Sequence, residues 1–235
     1  MKSLLRIIPA ILSVIACLTI CTRSEAAPSV PAASIQVIAF GYNGPERTVK
    51  VTDPQGASVT EKPIGLPTNQ CSPVIPVPGR DLVFTPLASE GTAQVAGKSA
   101  TVHLPDTGSE FVLVFLPVPT ERGGGYAIQA VELPSNLFKS GSFAFLNYTT
   151  GDIYCGVDKQ KAIVGPAKAG ILSPQDAEGI VITACFERDG TEWSNRPFFS
   201  GRLPVQKGVR NLVLVSRNIQ SGQIEFRGIP DFVKK

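Results

Sequence analysis

The 235-residue chain has one histidine, one tryptophan and one methionine, and each scarcity closes off some chemistry. Zinc clusters and histidine-based triads need several imidazoles or thiolates at set spacings, which the lone His103 does not supply. His103 lies two residues before Pro105 at the end of an expected strand, and its counterpart in the second half is Arg202, so it reads as an exposed strand end. No Gly-x-Ser-x-Gly elbow is present, which removes the sequence signature of an α/β-hydrolase nucleophile. Gly123-Gly124-Gly125 lacks the Gly-Lys-Ser/Thr ending of a phosphate loop and precedes a strand, so a hairpin turn is the better reading. Asp152 and Asp158 are not followed by an Asp-x-Asp-x-Asp loop and read as solvated carboxylates. No metal site and no cofactor is expected. Paired carboxylates for glycoside hydrolysis can come from distant strands, so a hydrolase or acyl-transfer enzyme with loop carboxylates stands as an alternative without a named residue.

Charge is also scarce, at 17% of residues, against 43% hydrophobic, an ordinary globular composition. The formal net charge is +3, but much of it sits at the amino terminus. Lys2 and Arg6 form a basic flank, and the apolar run Ile7 to Ile20 is broken only by Pro9, Ser13 and Thr19, the pattern of a secretory signal. Cleavage after Ala26, in Ser24-Glu25-Ala26, avoids placing Pro28 first in the mature chain. Residues 1–26 are therefore expected to be a signal peptide, and 27–33 a Pro- and Ala-rich extended leader. The alternative is a lipoprotein signal, with Val14-Ile15-Ala16-Cys17 placing a lipid on Cys17, although Leu18 to Ile20 continue the apolar run past that cut. The run is short of the roughly 20 residues a membrane span needs, and no later segment is longer, so no transmembrane span is expected in the mature chain. Without residues 1–26 the net charge falls to about +1, since Lys2, Arg6, Arg23 and Glu25 go with them. Nucleic acid is then not an expected partner, because no basic stripe remains to release counterions from phosphate.

Cys17 and Cys21 fall in the signal, leaving Cys71, Cys155 and Cys185. An exported chain with three cysteines can form at most one internal disulfide. Cys155–Cys185 is favoured because both lie in the second half and their link closes a loop of about 30 residues, worth a few kcal/mol. The alternative is three buried thiols packing as small hydrophobes.

What the chain has in quantity is self-similarity. Residues 90–116 and 189–215 both run acidic-Gly-Thr, a variable stretch, Leu-Pro, then a Val/Leu strand. Ile35 to Tyr42 parallels Ser142 to Tyr148, and Asp81 to Thr85 parallels Gly179 to Thr183. Tyr126 to Pro134 parallels Ile224 to Pro230 at the tails. The expectation is a duplicated unit: an all-β fold of two tandem immunoglobulin-like β-sandwich modules, 34–138 and 141–235, joined through Lys139-Ser140-Gly141. The short linker leaves the modules in contact.

Runs of Val, Ile, Phe and Thr punctuated by Pro, Gly, Asn and Asp predict strands at 34–41, 47–52, 81–86, 92–96, 99–104, 111–117 and 126–132. The second set is 142–148, 152–157, 179–187, 191–194, 197–203, 211–217 and 223–228. Residues 121–125 and 220–222 read as equivalent hairpin turns. The proline-bearing segments 53–80 and 158–178 read as long irregular connections, with one helical turn over 173–178. Asn147-Tyr148-Thr149 fits a glycosylation sequon but ends a strand.

The local feature with most chemistry is Trp193-Ser-Asn-Arg196-Pro-Phe198-Phe199, a site where the first half has only small and polar residues. Trp193, Arg196, Phe198 and Phe199 are candidate binding residues, since aromatic rings in a sandwich loop can stack on sugars or anchor a protein. The competing reading packs Trp193 and one phenylalanine into the core. The opening strand ending Phe-Leu-Asn-Tyr-Thr (145–149), with its turn and apolar strand, resembles secreted bacterial tandem β-sandwich envelope proteins of unassigned function. It is also similar to the two-module periplasmic accessory proteins of alginate acetylation. That resemblance implies a periplasmic or extracellular location and carries over no functional residue. The expected function is a non-catalytic envelope protein that binds a protein or polysaccharide partner through the second module. The third alternative is an assembly subunit that pairs through exposed strand edges.

Overall fold

The computed structural model describes residues 33–40, 47–87, 98–118, 125–174, 179–218 and 221–233. The expected signal, nearly all of the expected leader, the expected strand 92–96, residues 121–124 of an expected hairpin turn and most of the expected helical turn lie outside the described residues. Every element that is described is a β-strand, seventeen in four sheets, with no helix among them. The fold is all-β.

The first sheet runs in the order β4 (Ile75–Val77), β1 (Ala33–Ala39), β7 (Glu110–Pro117), β8 (Tyr126–Glu132). The second runs β3 (Ile64–Leu66), β2 (Arg47–Thr52), β5 (Asp81–Pro86), β6 (Ala100–His103). In the third, β12 (Ala169–Leu172), β9 (Phe143–Tyr148), β16 (Val209–Arg217) and β17 (Ile224–Phe232) follow one another. The fourth runs β11 (Gln160–Val164), β10 (Ile153–Val157), β13 (Gly179–Asp189), β15 (Phe199–Val205), with β14 (Glu192–Trp193) on the end of β13. Leaving β14 aside, the third and fourth sheets have the same strand orders as the first and second. In both the first and third sheets the opening strand lies parallel to the long apolar one, β1 along β7 and β9 along β16. All other pairings are antiparallel.

Two sequence expectations are corrected. Segments 53–80 and 158–178 are not irregular throughout, because they contain β3, β4, β11 and β12. Each is a short strand at a sheet edge, where one side needs no partner and a proline such as Pro76 is tolerated. The leader also ends earlier than expected, since Ala33 already pairs with Val77 in β1.

Burial explains why β7, β9 and β16 read as unbroken apolar runs. A strand exposed on one side alternates, whereas a strand covered on both faces is apolar throughout. Phe111, Leu113 and Phe115 point into a cluster shared by the first and second sheets. Val112 and Val114, the intervening residues of β7, join a second cluster with Ala144, Leu146, Leu212 and Leu214 of the third sheet. Phe143, Phe145, Val213 and Val215 face the fourth sheet in a third cluster. The four sheets therefore stack as layers, second, first, third, fourth, with apolar side chains in all three gaps.

The middle gap also holds polar groups. Arg210 donates from Nε to Asp231 Oδ2 at 2.8 Å and a second time through Nη2, while Nη1 donates to the Phe138 carbonyl at 3.2 Å. Its guanidinium lies 4.7 Å from the centre of the Phe138 ring. Gln36, across the gap on β1, donates to Asp231 Oδ1 at 3.2 Å and to the Ser72 carbonyl at 3.0 Å. Further contacts tie Gln129 to the Ala167 carbonyl at 2.9 Å, and Arg227 to the Thr68 carbonyl. The segment between the halves is pinned too, with Phe138 fully buried and Gly141 N–H donating to the Val209 carbonyl at 2.7 Å.

Arg210 and Asp231 side chains are only 13% and 5% exposed, so truncating one leaves the other charged and buried. Asp231→Ala should lower unfolding stability by about 3–5 kcal/mol, read as a shift of the urea midpoint. Arg210→Met combined with Asp231→Leu should recover most of that loss, because a well-packed apolar pair replaces both charges.

Candidate functional site

The fourth sheet turns one face to the third cluster and the other away from the protein. Along β10, Ile153, Cys155 and Val157 are buried in the core, so Tyr154 points outward. On β13, Val181 and Cys185 are core residues and Phe186 is on the opposite face. Register sets these outward residues side by side: Ile163 opposite Tyr154, and Tyr154 opposite Phe186. The Tyr154 and Phe186 rings are 6.0 Å apart between centroids.

The β13–β14 hairpin adds Trp193 to this row. Its two-residue turn is Gly190-Thr191, and Gly190 supplies the positive φ of 61° that such a turn demands. Arg188 and Trp193 are register partners, with the guanidinium 5.8 Å from the indole centre. The Trp193 ring lies 5.8 Å from Tyr154. Arg188 is held in turn by Asp152, through a side-chain ion pair of 3.0 Å and a backbone hydrogen bond of 3.1 Å. Trp193 is 36% exposed and Ile163 is 63% exposed, so the row is a surface feature. Tyr154, Phe186 and Trp193 form an outward aromatic platform, with Ile163 at one end and the Arg188–Asp152 pair beside it.

The other members of the Trp193–Phe199 segment lie elsewhere. Phe199 stacks face to face on Phe226 at 3.7 Å against the third core cluster, and Phe198 packs on the same cluster. Arg196 is exposed in the loop after β14, where Ser194 Oγ accepts its N–H at 3.2 Å and donates to its carbonyl at 2.8 Å. Trp193 is therefore grouped with Tyr154 and Phe186, which sequence reasoning did not single out. The equivalent outer face in the first half carries no phenylalanine, tyrosine or tryptophan among the described residues of β2, β5 and β6. There Thr48 and Lys50 of β2 point outward, and Thr85 of β5 hydrogen-bonds Ser99 at 2.9 Å.

The remaining candidate sites are occupied by structure. A cavity of about 420 Å³ at the junction of the halves is lined by Gln36, Cys71, Ser72, Arg210, Asp231 and Phe232. Its polar groups bond to one another, and burial, reinforced by Asp231 and opposed by Arg210, pushes the Cys71 thiol well up. A thiol held protonated is a poor nucleophile. Asn147 of the sequon is fully buried; its amide donates to the Gly151 and Val164 carbonyls at 2.8 Å and accepts from Thr149. Among the described residues no group of three or more His, Cys, Asp or Glu could hold a metal ion. Cys155 and Cys185 face each other across β10 and β13, both fully buried.

No protein-family model matches the chain, and no curated protein matches it.

His103 sits in the open, opposite Asp81 in the register of β5 and β6. Its Nδ1 is 2.8 Å from Asp81 and its Nε2 is 3.6 Å from Asp106. The hydrogen bond to Asp81 is the main reason its pKa is raised from 6.5. A raised folded-state value means that this pairing contributes to stability fully below about pH 6.5 and ceases to do so as pH climbs through the folded-state value. Titration of the single imidazole by NMR should give a midpoint above 6.5, and Asp81→Asn should move it down.

Proposed function

We propose that this chain is a non-catalytic, exported envelope protein of two tandem immunoglobulin-like β-sandwich modules, whose second module binds a polysaccharide. The observation that carries the binding reading is the exposed Trp193 set against Tyr154 and Phe186 on an outward sheet face. Rings held by strands and a tight hairpin lose little freedom on binding, and each offers an apolar face to the CH-bearing side of a sugar ring. Arg188 and Asp152 add donors and acceptors beside the rings, the complement that sugar hydroxyls require. The matching strand orders support the tandem reading, and the contrast between the two outer faces supports a division of labour, with binding on the second module. The basic flank and apolar run at the amino terminus support export. Pairing with neighbours through strand edges finds less support, since the long edge strand β17 carries Pro230 and Gly228, which blunt an edge.

Affinity electrophoresis in gels containing envelope polysaccharides tests this reading. The wild-type protein should be retarded, and Trp193→Ala or Tyr154→Ala should weaken retention about tenfold or more, while Val74→Ala, far from the platform, should leave it unchanged. Equal retardation of wild type and both platform variants removes the platform. Platform-dependent capture of an envelope protein without any glycan retention replaces the polysaccharide with a protein partner.

A further inference from the structure

The backbone hydrogen bonds of the fourth sheet settle what kind of pair Cys155 and Cys185 make. In an antiparallel ladder, facing residues alternate between pairs that exchange hydrogen bonds and pairs that do not. Arg188 N–H donates to the carbonyl of Asp152 at 3.1 Å. Those two residues continue the register in which Ile153 faces Glu187 and Cys155 faces Cys185. Asp152 and Arg188 are thus a hydrogen-bonded pair; three steps along the ladder, Cys155 and Cys185 are a non-bonded pair. Non-bonded pairs bring Cα atoms to about 4.5 Å. That separation falls inside the range of about 4.4–6.8 Å that a disulfide spans. Both side chains point to the same face and both are fully buried. Cys71, the other cysteine of the described residues, lies against a different cluster, the one between the first and third sheets.

We infer that Cys155 and Cys185 form a cross-strand disulfide that staples β10 to β13 directly behind the aromatic platform. Tyr154 and Phe186 are each one residue from a cysteine, on the opposite face of the same two strands. The link therefore fixes the spacing of two of the platform's three rings from inside the core. The reaction is thiol–disulfide exchange. One cysteine sulfur attacks a disulfide oxidant, either a thiol oxidoreductase of the envelope or oxidised glutathione, to give a mixed disulfide. The second sulfur then displaces the remaining half, so that one protein S–S bond forms, the oxidant's S–S bond is reduced, and the two protons end on its two thiols. Once the sheet has closed, the contact with Cys185 and burial raise the Cys155 pKa and remove the thiolate. Oxidation accordingly accompanies folding.

The full chain, unfolded and reduced, is refolded in a glutathione redox buffer, denatured without reductant, alkylated and mapped by peptide mass spectrometry. A peptide pair joining Cys155 to Cys185, with Cys71 alkylated, is the expected result. Reduction should lower the thermal midpoint by about 5–10 °C in the wild type and in Cys71→Ser, and by nothing in Cys155→Ser. Full alkylation of both Cys155 and Cys185 before reduction overturns the inference, as does a link from either one to Cys71. The thiol map is read with no ligand present, so it stands or falls separately from polysaccharide binding.

Discussion

The apolar layer between the first and third sheets is the contact on which the rest of the molecule depends. Without it, β1, β7, β9 and β16 would each present an apolar face to water, and the two halves would be separate units on a short tether. With it, Val112, Val114, Leu212 and Leu214 are removed from solvent, each worth about 1.5–3 kcal/mol. The layer is nondirectional, however, and apolar side chains alone would tolerate sliding of one sheet over the other. Gln36, Gln129 and Arg227 supply the direction, since their hydrogen bonds to Asp231, Ala167 and Thr68 cross between the halves and can be made in one relative position only.

That arrangement decides which sheet faces meet solvent. Both faces of the central strands β1, β7, β9 and β16 are consumed by packing, so the broad faces left are the outsides of the second and fourth sheets. The first-half face is lined by threonine, serine and lysine together with Val83, Asp81 and His103, while the second-half face carries the rings of Tyr154, Phe186 and Trp193. The central stretches of β7 and β16 could not host such rings, because both of their faces are buried. The platform is at the far end of the stack from the first half, and its rigidity rests on hairpin geometry and the core behind it.

The parts of this structure legible in the sequence are those governed by local pattern. The alternating and all-apolar strands, the positive-φ turns and the all-β class follow from residue type and spacing, and β2, β5 and β8 lie where those patterns put them. The short edge strands were missed because Ile75-Pro76-Val77 and Ile64-Gly65-Leu66 carry residues that argue against strands in general, though not against strands with one free side. Trp193 stands out as the single tryptophan, but its companions depend on register. Tyr154 and Phe186 are 32 positions apart in the chain and meet only because Ile153 faces Glu187. A faint signal existed: each is an aromatic residue out of phase with an already apolar alternation, which leaves it nowhere to point but outward.

The doubly covered strands have a consequence for divergence. Replacing any buried residue of β7 or β16 disturbs a neighbour on one side or the other, so drift at those positions is confined to swaps of matching volume. The outward rows of the second and fourth sheets answer to no such neighbour. Relatives of this chain should therefore keep the bulk of their central inner strands nearly constant while their outer rows are rewritten without renegotiating the core.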